Sequence, residues 1–327
     1  MREFFGRLFR RAPPRAGRFE AGSKFSWHGW VPFAPWVWPS RGYLVYVPRG
    51  HSRWRRRPLL VLLHGCRQSP EEIAGGTRIT ALADERDWLV LLPRQANGAN
   101  AWGCWNWFDQ RTAAGKGEAA IVAAQVRAVR RIYRAHPRRM FILGMSSGAC
   151  LAAVLGLRYA KLFAGVGLHS GVACGAASGP AAAFKALAAG ADTDITAIAR
   201  QERERTPRRA LPLPICVVHG ERDNVVAGRN AIDLVRQFLV FNDYPRPTGD
   251  TGDGLPATDA TATTVLPGGR TMTTDDYCID GRLVARLVRV AELGHAWSGG
   301  DAAFAYNDPE PPDATALFGA FFGQRLR

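Results

Sequence analysis

Five consecutive residues, Gly144-Met145-Ser146-Ser147-Gly148, have the types and spacing for nucleophilic chemistry. They follow the apolar run MFILG and open the stretch SSGACLAAVLGLRYA, so a strand at 140–144 is expected to turn directly into a helix. A turn that tight needs glycine on both sides of the serine, where a Cβ would clash, and it holds the hydroxyl above the sheet. It also puts Ser146 at a helix N-terminus, where free N–H groups and partial positive charge favour a developing oxyanion. Ser147 is the rival nucleophile. It lies one step into the helix, where its backbone N–H is more useful than its hydroxyl. The bland alternative is a glycine-rich turn with an incidental serine.

A serine hydroxyl is a poor nucleophile without a base, and in this arrangement the acid and then the histidine follow the serine along the chain. Of seven histidines, His28 and His51 precede the sheet, and His64, His169 and His219 sit at strand ends. His136 lies in an Arg-rich turn. Only His295, in LGHAWSGG, combines late order, a loop and flexible flanks. The acid should follow a strand between the two, and VVHGERDNVV puts Asp223 just beyond the strand 214–220. Asp192, Asp194, Asp233 and Asp243 lack such a strand end, and the competing role for Asp223 is to cap the next helix. Two N–H groups must hold the oxyanion. Ser147 is expected to supply one and Cys66 the other, with Arg67 as the alternative to Cys66. No step of this chemistry calls for a metal or cofactor.

Trp102, Trp105 and Trp107 crowd one loop, and Trp297 follows the histidine by two residues. Rigid amphipathic rings suit an apolar ester chain, so Trp105, Trp107 and Trp297 are expected at the cleft mouth as substrate contacts, with Trp102 further out. The alternative is a lid packed on the body. Six cysteines show neither CxxC nor zinc spacing. Cys150 and Cys216 lie in apolar runs and read as core thiols. Cys66 and Cys104 fall in the two loops expected over the site and are the candidates for a bridge.

The positioning elements follow from the apolar pattern. Strands are expected at 42–47, 59–65, 88–93, 164–170 and 214–220, besides 140–144. Helices are expected around 71–86, 118–135, 228–241 and 313–326. The Ala-rich stretch 176–200 reads as mobile, 242–262 as a surface excursion, and 263–267 and 283–292 as weak strands. Short apolar strands alternating with helices give a mostly parallel, doubly wound sheet covered on both faces.

Hydrophobic residues are 47% of the 327, enough for a large core, and charged residues are 22%. The net charge of +15 would point to nucleic acid if it were spread over the molecule. Instead residues 1–60 hold 13 Lys/Arg against 2 Asp/Glu, leaving the remaining chain at +4, and no nucleic-acid partner is expected. Residues 1–40 thus read as a basic, Trp/Pro-rich arm and 41–327 as the catalytic domain. Within the arm, Phe4, Phe5, Leu8 and Phe9 alternate with Arg2, Arg7, Arg10 and Arg11 as in a short amphipathic helix. It could contact an anionic membrane or granule surface, although a frayed terminus is the simpler reading. Residues 25–40 read as an extended strap. No secretory signal pattern and no span of about 20 apolar residues is expected.

Seven segments carry a resemblance. They are LLVLLHGCRQSPEEIA, CWNWFD, Gly115-Lys116-Gly117-Glu118, GMSSGA, LHSGVACGAA, GHAWSGG and NDPEPPDATALFGAFF. Together, in this order, they resemble polyhydroxybutyrate depolymerase-like esterases. The nearest likeness is to short-chain-length polyhydroxyalkanoate depolymerases with a type 2 catalytic domain. The resemblance implies the α/β-hydrolase fold, no metal, and hydrolysis of esters of 3-hydroxy acids. It maps the catalytic residues onto Ser146, Asp223 and His295 and puts Cys66 at the oxyanion position. Extracellular members usually add a secretion signal, a linker and a polymer-binding domain, where this sequence has a basic arm. Relatives that cleave feruloyl or acetyl groups from polysaccharides form the second reading. A surface-binding protein with a vestigial hydrolase body is the third.

Overall fold

A computed structural model describes residues 17–25, 40–52, 54–207, 212–245 and 254–324. The expected amphipathic helix before Pro13 and the strap that follows residue 25 lie outside them.

The apolar runs form the expected strands: β2 (Ser40–Val47), β3 (Leu59–Leu63), β4 (Leu89–Pro93), β5 (Met140–Met145), β6 (Gly165–His169) and β7 (Ile215–Gly220). Within the stretch read as an arm, residues Arg18–Phe25 form β1, which pairs antiparallel with β2 along its whole length. Beyond β7 come β8 (Ala260–Val265), β9 (Thr271–Ile279) and β10 (Arg282–Val290). The ten strands make one sheet in the order β1-β2-β4-β3-β5-β6-β7-β10-β9-β8. Its centre, from β4 to β10, is parallel, while both margins are antiparallel. β9 was not expected, because TMTTDDYCI carries too few apolar residues for a buried strand. It is held instead by its ladders to β8 and β10 and by the pairs Arg286–Asp276 and Arg289–Asp275.

Alternate residues of the central strands enter two separate cores, as a doubly covered sheet requires. Leu59, Val61 and Leu63 face one core, which also takes in α4 (Gly117–Ile132), α5 (Ser147–Arg158) and α8 (Arg229–Phe241). Leu60 and Leu62 face the other, with α2 (Ile79–Arg86), the preceding α1 (Pro70–Gly76) and α9 (Ala314–Gly323).

Two expectations are corrected. The helix read over 71–86 is broken into α1 and α2 by Arg78, which adopts a left-handed backbone (φ 53°) and sends its guanidinium to the Gly299 carbonyl. The Ala-rich stretch read as mobile is ordered as α6 (Pro180–Ala189) and α7 (Ile195–Arg205). Alanine favours helix intrinsically, and Asp194 caps α7 by accepting from the Thr196 and Ala197 N–H groups.

Candidate active site

The turn from β5 to α5 has the expected geometry. Ser146 stands at φ 54°, and its N–H donates to the His169 carbonyl at 2.9 Å. A Cβ on Gly144 would lie 2.3 Å from the Gly148 carbonyl oxygen, and one on Gly148 2.3 Å from that of Leu63. Both glycines are therefore obligatory for so close an approach of strand and helix.

His295 lies in the loop after β10, and Asp223 lies just beyond β7. The two strands run parallel side by side, Val290 opposite Gly220, which brings both side chains to the same end of the sheet as Ser146. The Ser146 hydroxyl is 3.0 Å from His295 Nε2, and His295 Nδ1 is 2.8 Å from Asp223 Oδ2. A neutral imidazole with its proton on Nδ1 satisfies both contacts. The other Asp223 oxygen accepts from the Val225 and Val226 N–H groups at 3.0 and 2.8 Å. Burial works to raise the Asp223 carboxyl, but His295 and the Val226 amide outweigh it and bring it down to about 2. Asp223 is thus a fixed anion beside the imidazole, and it also makes the turn contacts expected of a cap.

The loop after β3 faces Ser146. The Arg67 N–H donates to the Trp102 carbonyl at 2.8 Å, so it is already engaged and leaves Cys66 as the second oxyanion candidate. Among the described residues, the amides of Cys66 and Ser147 have no hydrogen-bond acceptor. The Ser147 hydroxyl accepts from the Trp105 N–H at 3.4 Å, inside the protein. Cys66 and Cys104 form a disulfide, their Cα atoms 4.1 Å apart, which ties this loop to the tryptophan loop.

The tryptophans divide differently from the expectation. Trp105 is fully buried, its Nε1–H donating to the His64 carbonyl at 3.1 Å, and does not line the cleft. Trp297 is likewise buried, in the core on the α9 side. It stacks on His169 at 5.0 Å and donates to the Thr315 hydroxyl at 3.1 Å. A ring two residues past the histidine points down from the loop and anchors it, and is not presented to a substrate. Trp107 does reach the cleft wall, and Trp102, 51% exposed, stands at its rim.

The cleft above Ser146 encloses about 530 Å³ and is mostly apolar. One wall was missed in the sequence: α6 presents Ala183, Phe184 and Leu187, spaced three and four apart. The Phe184 ring meets Trp102 edge-on at 5.7 Å, bridging the rim. Also missed was the buried Glu118 at the start of α4. It accepts from the Gln95 side chain (2.7 Å) and from the Asn106 amide (2.7 Å) and side chain (2.8 Å), so it holds the tryptophan loop from below. The motif Gly115–Glu118 marked the residue but not what it binds. His64 has both ring nitrogens engaged, by the Gly65 carbonyl and the Gln95 N–H, and burial lowers its pKa to about 4. It is a neutral structural group.

Sheet order, elbow and triad geometry define an α/β-hydrolase. A family model, Esterase PHB depolymerase, matches residues 41–259, and the chain belongs to that family. It is 30% identical over 217 residues to poly(3-hydroxyalkanoate) depolymerase C of Paucimonas lemoignei, a match covering 64% of this chain and 51% of that one. It is 28% identical over 201 residues to feruloyl esterase B of Neurospora crassa, covering 59% and 68%. The chain thus spans about half the length of the depolymerase it matches. Among solved structures, an acetyl xylan esterase from Aspergillus awamori superposes with a TM-score of 0.64 at 18% identity, over 84% of this chain and 94% of that one. At that identity the likeness speaks for the fold.

Proposed function

We propose that the protein is a serine carboxylic ester hydrolase that cleaves polyhydroxyalkanoate, in particular poly-3-hydroxybutyrate, or its oligomers. Ser146 Oγ attacks the ester carbonyl while His295 takes its proton, and Asp223 holds the imidazole in the productive tautomer. The tetrahedral oxyanion sits against the Cys66 and Ser147 N–H groups. His295 then protonates the departing alkoxide, leaving an acyl-serine, and a water repeats the cycle to release the acid and free Ser146.

The observation that carries this reading is the Ser146–His295–Asp223 chain of contacts at the floor of an apolar cleft. Exposed Trp102, Phe184, Val225 and Tyr306 at the cleft suit a chain presented by a water-insoluble solid. Purified protein on a polyhydroxybutyrate film should release soluble hydroxybutyrate. No release from film or oligomers, with rapid release of ferulate or acetate from sugar esters, overturns the substrate assignment.

The second reading, a feruloyl or acetyl esterase, is favoured by one observation. A polar cavity of about 310 Å³, lined by Ser69, Arg94 and Asn97 among others, adjoins the cleft and shares Gln68 and Asn100 with it. A sugar hydroxyl would find partners there. For the remaining chain, residues 1–40 are assigned to a basic arm that contacts an anionic membrane or granule surface, with β1 as its attachment to the sheet, and 41–327 to the catalytic domain. Removing residues 1–16 should leave turnover of a soluble ester intact.

A further inference from the structure

At the far end of the sheet from the triad, where β3 and β5 begin, lies a groove of about 670 Å³ along α4. Lys24, Arg56, Arg127, Arg130, Arg131 and Arg134 line it over a floor of alanines. Among the described residues no Asp or Glu lines it, and none of these six cations has a carboxylate partner. Two loops that build this end are hydrogen-bonded to each other, the His136 N–H to the Arg57 carbonyl at 2.7 Å and the Leu59 N–H to that of Arg139 at 2.9 Å. The loop segments next to Arg56 and Arg134 are thus tied to each other, while Arg127, Arg130 and Arg131 stand on α4 and Lys24 on β1. Cations gathered without counter-charge repel one another, which opposes folding until an anion arrives. His136 is held below the ordinary histidine range by its burial and then by Arg139, Arg56 and Arg138.

The occupant can be narrowed. Residues 1–16 hold five arginines and one glutamate, the same sign as the groove. Among the described residues no aromatic ring lines the groove itself, and Trp54 nearby in the chain is a single ring, where a nucleic acid stacks successive bases on a series of rings. Two exposed apolar side chains neighbour these cations along the chain: Trp54, 91% exposed and two residues before Arg56, and Ile132, next to Arg131. Arginine interleaved with exposed tryptophan is the composition of a surface that rests in a lipid headgroup layer.

We propose that this groove is a docking site for anionic phospholipid, with headgroup phosphates against the arginines and Trp54 and Ile132 in the interfacial layer. The catalytic cleft opens at the other end of the strands and stays accessible in the docked state. The described lining lies in the folded body, with Lys24 supplied by β1.

Co-sedimentation of the full chain with vesicles tests it. Phosphatidylcholine vesicles containing phosphatidylglycerol should bind the protein, pure phosphatidylcholine should not, and about 0.5 M salt should release it. Arg56→Glu/Arg131→Glu/Arg134→Glu should weaken binding at least about tenfold, since each basic residue near such a surface contributes appreciably. Its turnover of a soluble ester should be unchanged, which reports an intact fold. The corresponding Gln substitutions should give an intermediate loss, and Trp54→Ala a smaller one. Undiminished binding by the Glu variant would mean that the arm alone carries the contact and overturns the proposal. So would equal binding to both vesicle types. Binding of polyphosphate or single-stranded DNA without binding of vesicles would make this a soluble-polyanion site and end the lipid assignment.

Discussion

Ser146 adopts a backbone conformation that non-glycine residues avoid, at a cost of order 1–3 kcal/mol, and the surrounding close contacts hold it there. Ser146→Ala should therefore fold normally yet lose ester turnover by several orders of magnitude, whereas Ser147→Ala should keep most of it. Labelling by a fluorophosphonate probe, located by mass spectrometry, separates the two serines. Asp223→Asn presents the wrong hydrogen-bonding partner to His295 Nδ1 and should lower kcat/KM by about three to four orders of magnitude. The tryptophans give a sharper contrast. Trp297→Ala empties a buried site and should cost about 3–5 kcal/mol of stability, with equal losses on short and long esters. Trp102→Ala, at the rim, should leave stability nearly unchanged. It should slow hydroxybutyrate oligomers about tenfold, the equivalent of ~1.4 kcal/mol, and a p-nitrophenyl acetate-type ester much less. Equal losses on both substrates in Trp102→Ala would reduce that ring to a structural part.

Among the elements, the tryptophan loop is tied down by several contacts, of which the Cys66–Cys104 bridge and Glu118 beneath Asn106 can each be removed singly. Reduction of the bridge should free the loop that carries the Cys66 N–H, lowering kcat while the melting transition of the domain persists. Circular dichroism beside activity in reductant checks this. Glu118→Ala should be more severe, since it removes the buried acceptor of the Gln95 side chain and of the Asn106 amide and side chain, at roughly 1–3 kcal/mol for a donor left unpaired. What could be read from the sequence follows the same division. β5 and the elbow were legible because four apolar residues, Met140 to Leu143, run straight into Gly-x-Ser-x-Gly. The order of β7, Asp223, β10 and His295 was legible because each side chain directly follows its strand. The wall from α6 was not, since AAAFKALAA has no polar face to set against an apolar one, and periodicity then carries no orientation. Trp105 and Trp297 were misplaced for a related reason. Spacing in a loop does not say which side of the backbone faces the protein, and only the Trp297 contacts with His169 and Thr315 decide it.

Over the whole molecule, acid should be the weak point. Asp223 has a folded pKa of about 2 against roughly 3.9 in an unfolded chain, so its contribution is complete above about pH 4 and is lost as pH falls through 2. His64 and His169, buried and brought down to about 4 and about 3, act earlier. The unfolded chain takes up their protons near pH 6.5 while the folded one does not, so stability declines from there until the folded values are reached. Melting temperature should therefore fall steadily between about pH 6.5 and pH 4, and a constant value across that window would contradict the buried, neutral state of both rings. The pairing of β7 with β10 has a further effect, on the timing of synthesis. Ser146 and its base are 149 positions apart, and β10 reaches β7 only after β8 and β9 have been made. Domains are built from the N-terminus as the ribosome advances. A nascent chain that already has its elbow folded therefore remains chemically silent, and hydrolytic competence arrives as a late event of translation.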